Sequence, residues 1–166
     1  MRAANLLLAL VVSLALLGCA RQGAQEGRAV PDITLVDAQG ANLKLSSLRG
    51  YVVLINFWAT WCTTCKAEKP HLQRLYNVMR SNPRFKLLTV LYNDTMQKAL
   101  AFNKELGYDM PTYADPGGQA AKALGLKGVP ESYIIDKKGV LRHHIIGPLS
   151  WADEKYVRTL TEMTQE

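Results

Sequence analysis

Two cysteines separated by two threonines, Cys62-Thr63-Thr64-Cys65, stand directly behind an apolar run at 51–58 and open a stretch of helical periodicity. A C-x-x-C pair at such a junction can cycle between dithiol and disulfide. Placement matters more than spacing, because a thiol at a helix N-terminus meets unpaired backbone N–H groups and the positive end of the dipole, and both favour thiolate. The outer cysteine, Cys62, is expected to attack a disulfide. Cys65, one turn into the helix, is expected to resolve the mixed disulfide by attacking Cys62. Thr63 and Thr64 supply no charged group to tune the thiolate.

Other uses of the pair fit less well. A structural zinc site needs four ligands, but there is no second C-x-x-C, and His71, His143 and His144 lack finger spacing. A c-type haem attachment needs histidine directly after the second cysteine, and position 66 is Lys. A purely structural disulfide closing so short a loop would be a poor staple for a large domain. No metal is expected, and no cofactor beyond the redox-active Cys62–Cys65 pair. The formal charge of +6 is scattered along the chain, with Lys137-Lys138 the longest basic run, so a nucleic-acid partner is not expected.

A third cysteine, Cys19, follows a single early charge, Arg2, and an apolar run at 6–17. At about 1.5 Å per residue that run is far short of a ~30 Å hydrocarbon core and reads as a signal-peptide h-region. Leu16-Leu17-Gly18-Cys19 resembles the bacterial lipobox, which implies cleavage before Cys19 and lipid attachment to its sulfur. With Cys19 so used, only Cys62 and Cys65 remain to pair. The expected organisation is a lipoprotein signal peptide at 1–18, a lipid-anchored flexible linker at 19–30 and one domain at 31–166, membrane-anchored outside the cytoplasm, on the periplasmic face in a Gram-negative cell.

The elements that must position the pair alternate, as in an α/β layer fold. Segments 33–36 and 42–45 flank Gln39-Gly40 as an N-terminal hairpin, 51–58 reads as a central buried strand and 85–92 as another. Helical spacing covers 63–80, with Leu72, Leu75, Tyr76 and Met79 on one face and a kink expected at Pro70, then 95–106 up to Gly107. Asp115-Pro116 opens a short helix closed by Gly125, and 132–136 with 140–146 form a second hairpin. Ser150 with Asp153 resembles a capping box for a last helix burying Tyr156, Val157, Leu160 and Met163.

The segment FWATWCTTCKAEKP (57–70), with GVPESYIID (128–136) after it and VPDITLVDAQG (30–40) before it, resembles the TlpA/ResA/DsbE-like branch of membrane-tethered thioredoxins. That resemblance implies a thioredoxin fold, a mixed sheet flanked by helices, with the N-terminal hairpin as an extension and region 93–115 as a central insertion. It implies that Pro130 is a cis-proline facing the active-site disulfide, leaving Val129 free to pair with an extended substrate. Glu68 matches an acidic residue near the second cysteine that could relay the resolving thiol's proton. Glu131 matches an acidic position after the proline, and Trp58 and Trp61 pack around the site. Cys62, Cys65 and Glu68 are thus the expected catalytic residues, and Trp61, Val129, Pro130 and Glu131 the expected substrate-binding ones.

The expected activity is reduction of protein disulfides outside the cytoplasm. By resemblance the substrates are apocytochrome c cysteines or their thiol carrier, and a membrane electron donor recharges the pair. Two alternatives stand beside it. A peroxide-reducing relative would carry Pro and Thr ahead of its reactive cysteine, where this chain has Ile55 and Ala59. A copper-delivery module would use both cysteines with a histidine.

Overall fold

The computed structural model of the protein describes residues 23–166; the expected signal peptide and Cys19 lie outside them. The N-terminal hairpin forms as β1 (Thr34–Asp37) antiparallel to β2 (Asn42–Lys44). Its turn is held by the Asp37 carboxylate, which accepts the amides of Gln39 and Ala41, and by Gly40 at φ +85. The apolar run becomes β3 (Val52–Trp58), buried at every position. It runs parallel to β4 (Phe85–Leu91) and antiparallel to β6 (Glu131–Ile135), so both of its faces need cover, which is why its sequence shows no polar alternation.

Four helices give that cover. Along β3, Val53, Ile55 and Phe57 pack with Ala120, Ala121 and Leu124 of the short helix at Gln119–Leu124 (α3). Val52 and Leu54 meet Leu72, Leu75 and Met79 of Thr63–Met79 (α1) and Leu160 and Met163 of Glu154–Gln165 (α4). Each such side chain taken fully from water is worth about 1.5–3 kcal/mol. Helix α1 continues through Pro70, where a kink was expected. The remaining helix, α2 (Met96–Leu106), ends as expected on Gly107 in the left-handed conformation.

One strand escapes the sequence reading. Thr112–Ala114 forms β5, parallel to β4 and antiparallel to β1, and with β7 (Leu141–Ile146) completes a seven-stranded sheet in the order β2-β1-β5-β4-β3-β6-β7. Three residues are too few to show a period of two. Through β5, the insertion at 93–115 ties the N-terminal hairpin to the main sheet. Units β3–α1–β4 and β6–β7–α4 are the two halves expected of a thioredoxin fold.

Two further expectations are corrected. The last helix begins at Glu154, with Asp153 at the cap position and no side-chain cap bond; Ser150 contributes its carbonyl to the preceding turn, not its hydroxyl to the helix. Residues 23–30, expected as part of a flexible linker, are docked instead. The Ala24 amide donates to the Leu124 carbonyl, Gly27 to Leu141 and Val30 to Gly139, and Ala29 bridges Val140 beside β7. Gly23 crosses Gly125 so closely that a Cβ on Gly23 would lie 2.5 Å from the Gly125 Cα. Glycine here serves close backbone approach, the other reason for the residue besides flexibility. Among the described residues no helix is long and apolar enough to cross a membrane.

Candidate active site

Cys62 caps the N-terminus of α1 with extended backbone, and its Sγ accepts the Cys65 amide at 3.1 Å. The two cysteines are joined as a disulfide, Cα to Cα 5.2 Å. Access differs between them: Cys62 is 6% exposed and Cys65 1%. Cys62 is the more accessible of the two, so the geometry favours it as the cysteine that meets a partner first. The Thr64 hydroxyl lies 3.4 Å from Cys62 Sγ and donates to it, since a disulfide sulfur has no proton to give.

The loop facing the pair carries a cis Val129–Pro130 bond, with the Val129 carbonyl 3.6 Å from Cys62 Sγ. Once the disulfide opens, the Cys62 thiol has an acceptor there. Trp61, 56% exposed, stands beside Cys62 with its indole N–H donating to the Asn93 carbonyl. The same loop after β4 supplies Asp94, whose carboxylate receives the amide and hydroxyl of Thr60 and the amide of Thr95. Partial burial pushes the Asp94 carboxyl up, but these bonds outweigh it and hold it below the usual carboxylate range.

Behind the disulfide lies a buried polar layer. Alternation along β3 puts Asn56 and Trp58 on the α1 side. Glu68, 3% exposed, accepts the Asn56 side-chain amide on one oxygen, and the Leu149 amide and the Trp151 indole N–H on the other. Burial pushes its carboxyl above the ordinary value despite these bonds. Lys69, 1% exposed, lays its Nζ over the Trp58 ring at 3.3 Å, and among the described residues no atom accepts from it. Burial holds this amine well below the usual lysine range, with the Glu68 charge opposing only in part.

Glu131 sits on the other side of the loop. It is wholly buried and accepts the Lys127 and Gly128 amides on one oxygen, and the Tyr133 hydroxyl and His144 Nε2 on the other. Burial pushes its carboxyl up, but Tyr133, His144 and Lys127 outweigh it, leaving Glu131 below the usual carboxylate range. Tyr133 is pushed up by burial and by Glu131, and the ring of His144 stacks on it. The Gly147 amide fixes the Pro130 carbonyl from the far side.

The structure therefore brings Cys62, Cys65, Trp61, Val129 and Pro130 to one surface, with Glu68 behind it. Glu131, expected among the substrate contacts, is corrected: with no exposed surface and both oxygens occupied, it braces the loop from within. Sequence reasoning did not single out Asn56, Trp151 or Lys69, and weighed His144 only as a metal ligand. For Lys69 a signal existed, because position 69 continues the buried stripe of Cys65, Leu72 and Leu75. Trp151 precedes its helix, and no periodicity pointed to it.

Comparison with known proteins agrees with this geometry. The model of the AhpC/TSA family matches residues 27–144. The thiol:disulfide interchange protein DsbE of Escherichia coli is 35% identical over 136 residues, covering 77% of this chain and 70% of DsbE. The thiol-disulfide oxidoreductase ResA of Geobacillus thermodenitrificans is 30% identical over 129 residues, covering 78% of this chain and 74% of ResA. A crystal structure assigned as a DsbE-type interchange protein from Chlorobium tepidum superposes with TM-score 0.74 at 25% identity, over 86% of this chain and 99% of that one. With a helix-capping C-x-x-C disulfide opposite a cis-proline on this sheet, the chain belongs to the AhpC/TSA family and is a thiol:disulfide oxidoreductase of the ResA/DsbE type, with a thioredoxin fold.

Proposed function

We propose that the protein is an extracytoplasmic reductase of protein disulfides, anchored through a lipid on Cys19 and acting in cytochrome c maturation. Cys62 is the attacking thiol and Cys65 the resolving one, and no further cofactor is needed. A substrate strand lies along Val129 and Pro130 with Trp61 as an apolar rim, and a membrane thiol donor returns electrons to the pair. The observation that carries the reading is the unequal exposure of the two disulfide-bonded cysteines in front of the cis-proline loop. The relatives named DsbE and ResA support the class of chemistry. Their substrates, by the resemblance of 57–70 and 128–136, are the cysteines of apocytochrome c or of its thiol carrier. The lipobox-like Leu16-Leu17-Gly18-Cys19 supports the anchor. Of the three histidines from which a copper site would draw its one imidazole, His144 is engaged with Glu131 and His71 with Arg74.

Direction of electron flow is decided by the two-electron midpoint potential of the Cys62/Cys65 couple. A value near about −270 mV supports a reductase, whereas one near about −120 mV makes the protein a disulfide donor and overturns the direction proposed. Cys65→Ser is expected to accumulate a mixed disulfide through Cys62, identifiable by mass spectrometry of the trapped partner in membranes. Should the trapped partner be unrelated to haem attachment, the pathway assignment falls while the exchange chemistry stands.

A further inference from the structure

We propose that Lys69 is the proton acceptor for the Cys65 thiol when Cys65 resolves the mixed disulfide. Lys69 lies four residues beyond Cys65 on α1, and side chains so spaced are neighbours on one helix face, with about 5–6 Å between Cβ atoms. Both are 1% exposed, and Trp58, on whose ring the Lys69 Nζ rests, packs in one cluster with Cys62 and Cys65.

The amine is free to act. Its Nζ has no hydrogen-bond partner among the described residues, and an unpartnered buried ammonium is costly, so burial shifts the group toward the neutral amine, whose lone pair can take a proton. Glu68 is the other basic group at hand, but its oxygens already accept from Asn56, Leu149 and Trp151. Strand β3 sets Trp58 against the amine, helix α2 contributes Ala99 and Phe102 to the cluster that holds Trp58, Lys66 of α1 reaches out to Phe102, and Glu68 is the charge that acts on the amine. Once protonated, Nζ faces the electron-rich indole of Trp58, which stabilises the ammonium without a salt bridge.

The step balances as follows in atoms and electrons. In the mixed disulfide Cys62 Sγ is bonded to the partner's sulfur. The Cys65 S–H proton passes to Lys69 Nζ, and the sulfur's electron pair forms the Cys65–Cys62 bond. The pair of the Cys62–partner bond leaves with the partner's sulfur. The partner is reduced and the Cys62/Cys65 pair oxidised. Lys69, no longer beside a thiolate, releases its proton to the departing sulfur or to solvent. This inference rests on dithiol exchange and not on its direction, so a midpoint potential that overturned the reductase reading would leave it standing.

The test is stopped-flow reaction of the reduced protein with Ellman's reagent from pH 6 to pH 9.5, where the first thionitrobenzoate is released by Cys62 and the second by Cys65. In Lys69→Met the second release is expected to be about 100-fold slower near neutral pH. It should then rise with hydroxide toward wild type across the upper end of that range, because an unassisted buried thiol ionises only above the about 8.5 of a free one. Equal second phases with the same pH dependence, or equal losses in both phases, overturn the proposal. In the unaltered protein, the Lys69 13Cε resonance should titrate at a higher pH in the dithiol than in the disulfide form. Identical titrations in the two forms also overturn it.

Discussion

Two carboxylates, both sealed from solvent, flank the same disulfide and are driven in opposite directions. Glu68 is raised and Glu131 lowered, although burial pushes both upward. The difference lies in what meets the oxygens. Glu131 accepts four donors, two of them backbone amides of the loop ahead of Pro130 that cannot turn away, and one from His144 at 2.5 Å. Glu68 accepts three, and the one on its second oxygen is the side-chain amide of Asn56, which also bonds Ser132 Oγ and can reverse its ends. A fixed set of donors demands a charge, whereas an adaptable one tolerates a neutral group. That contrast sets a charged brace on one side of the sulfurs and a carboxyl held nearer neutrality on the other.

The contrast can be broken most strongly at Glu131. Replacement by Gln sets an amide NH2 against donors that cannot rearrange, and is expected to lower stability by about 2–3 kcal/mol in urea unfolding. The pH dependence has the same origin. Because the folded-state value of Glu131 lies below the ordinary 4.5, its contribution is fully present above that pH and is lost as pH falls through the folded value. Unfolding midpoints from pH 7 downward should show this acid limb in the wild type and lack it in Glu131→Gln. Removing one donor, His144→Phe, keeps the stack on Tyr133 but takes away a charge-assisted bond, and should lower stability by about 1.5 kcal/mol.

Glu68→Gln gives the smallest effect and sharpens the comparison by its sign. With its folded-state value raised, Glu68 favours folding most below the ordinary 4.5, and this contribution declines as pH rises from there through the folded value. The Gln variant should therefore lie within about 1 kcal/mol of wild type at neutral pH, and its stability relative to wild type should rise with pH between those two values. A loss at Glu68→Gln as large as that at Glu131→Gln would remove the distinction between fixed and adaptable donors.

What the sequence made legible was whatever local chemistry carries. The Cys62-x-x-Cys65 motif, the uninterrupted run of β3 and the periodic face of α1 each announce themselves within a few residues and mark an α/β layer fold with a redox pair at a strand–helix junction, while the thioredoxin fold itself entered through the resemblance of 57–70 and 128–136. Strand β5 does not, because three residues become a strand only when β1 and β4 come to either side of them. Nor does the docking of 23–30, which depends on Gly23 meeting Gly125 across a hundred residues of chain. Glu131 was found by its place after Pro130, but its role was misread, since burial is decided by β7 and His144 packing over it. Lys69 shows a different difficulty: its position on the buried stripe says core while its type says surface, and the buried face read from Leu72, Leu75, Tyr76 and Met79 does not include it.

The docked arm also sets a leash. Should Cys19 carry the lipid, only residues 20–22 separate the anchor from Gly23, and an extended chain over that interval reaches about 14 Å. Gly23 rests on Gly125, four residues from Val129. The catalytic face is then hung from the bilayer by its own rim, close enough to meet a cysteine emerging from the membrane and too short-tethered to sweep the compartment beyond.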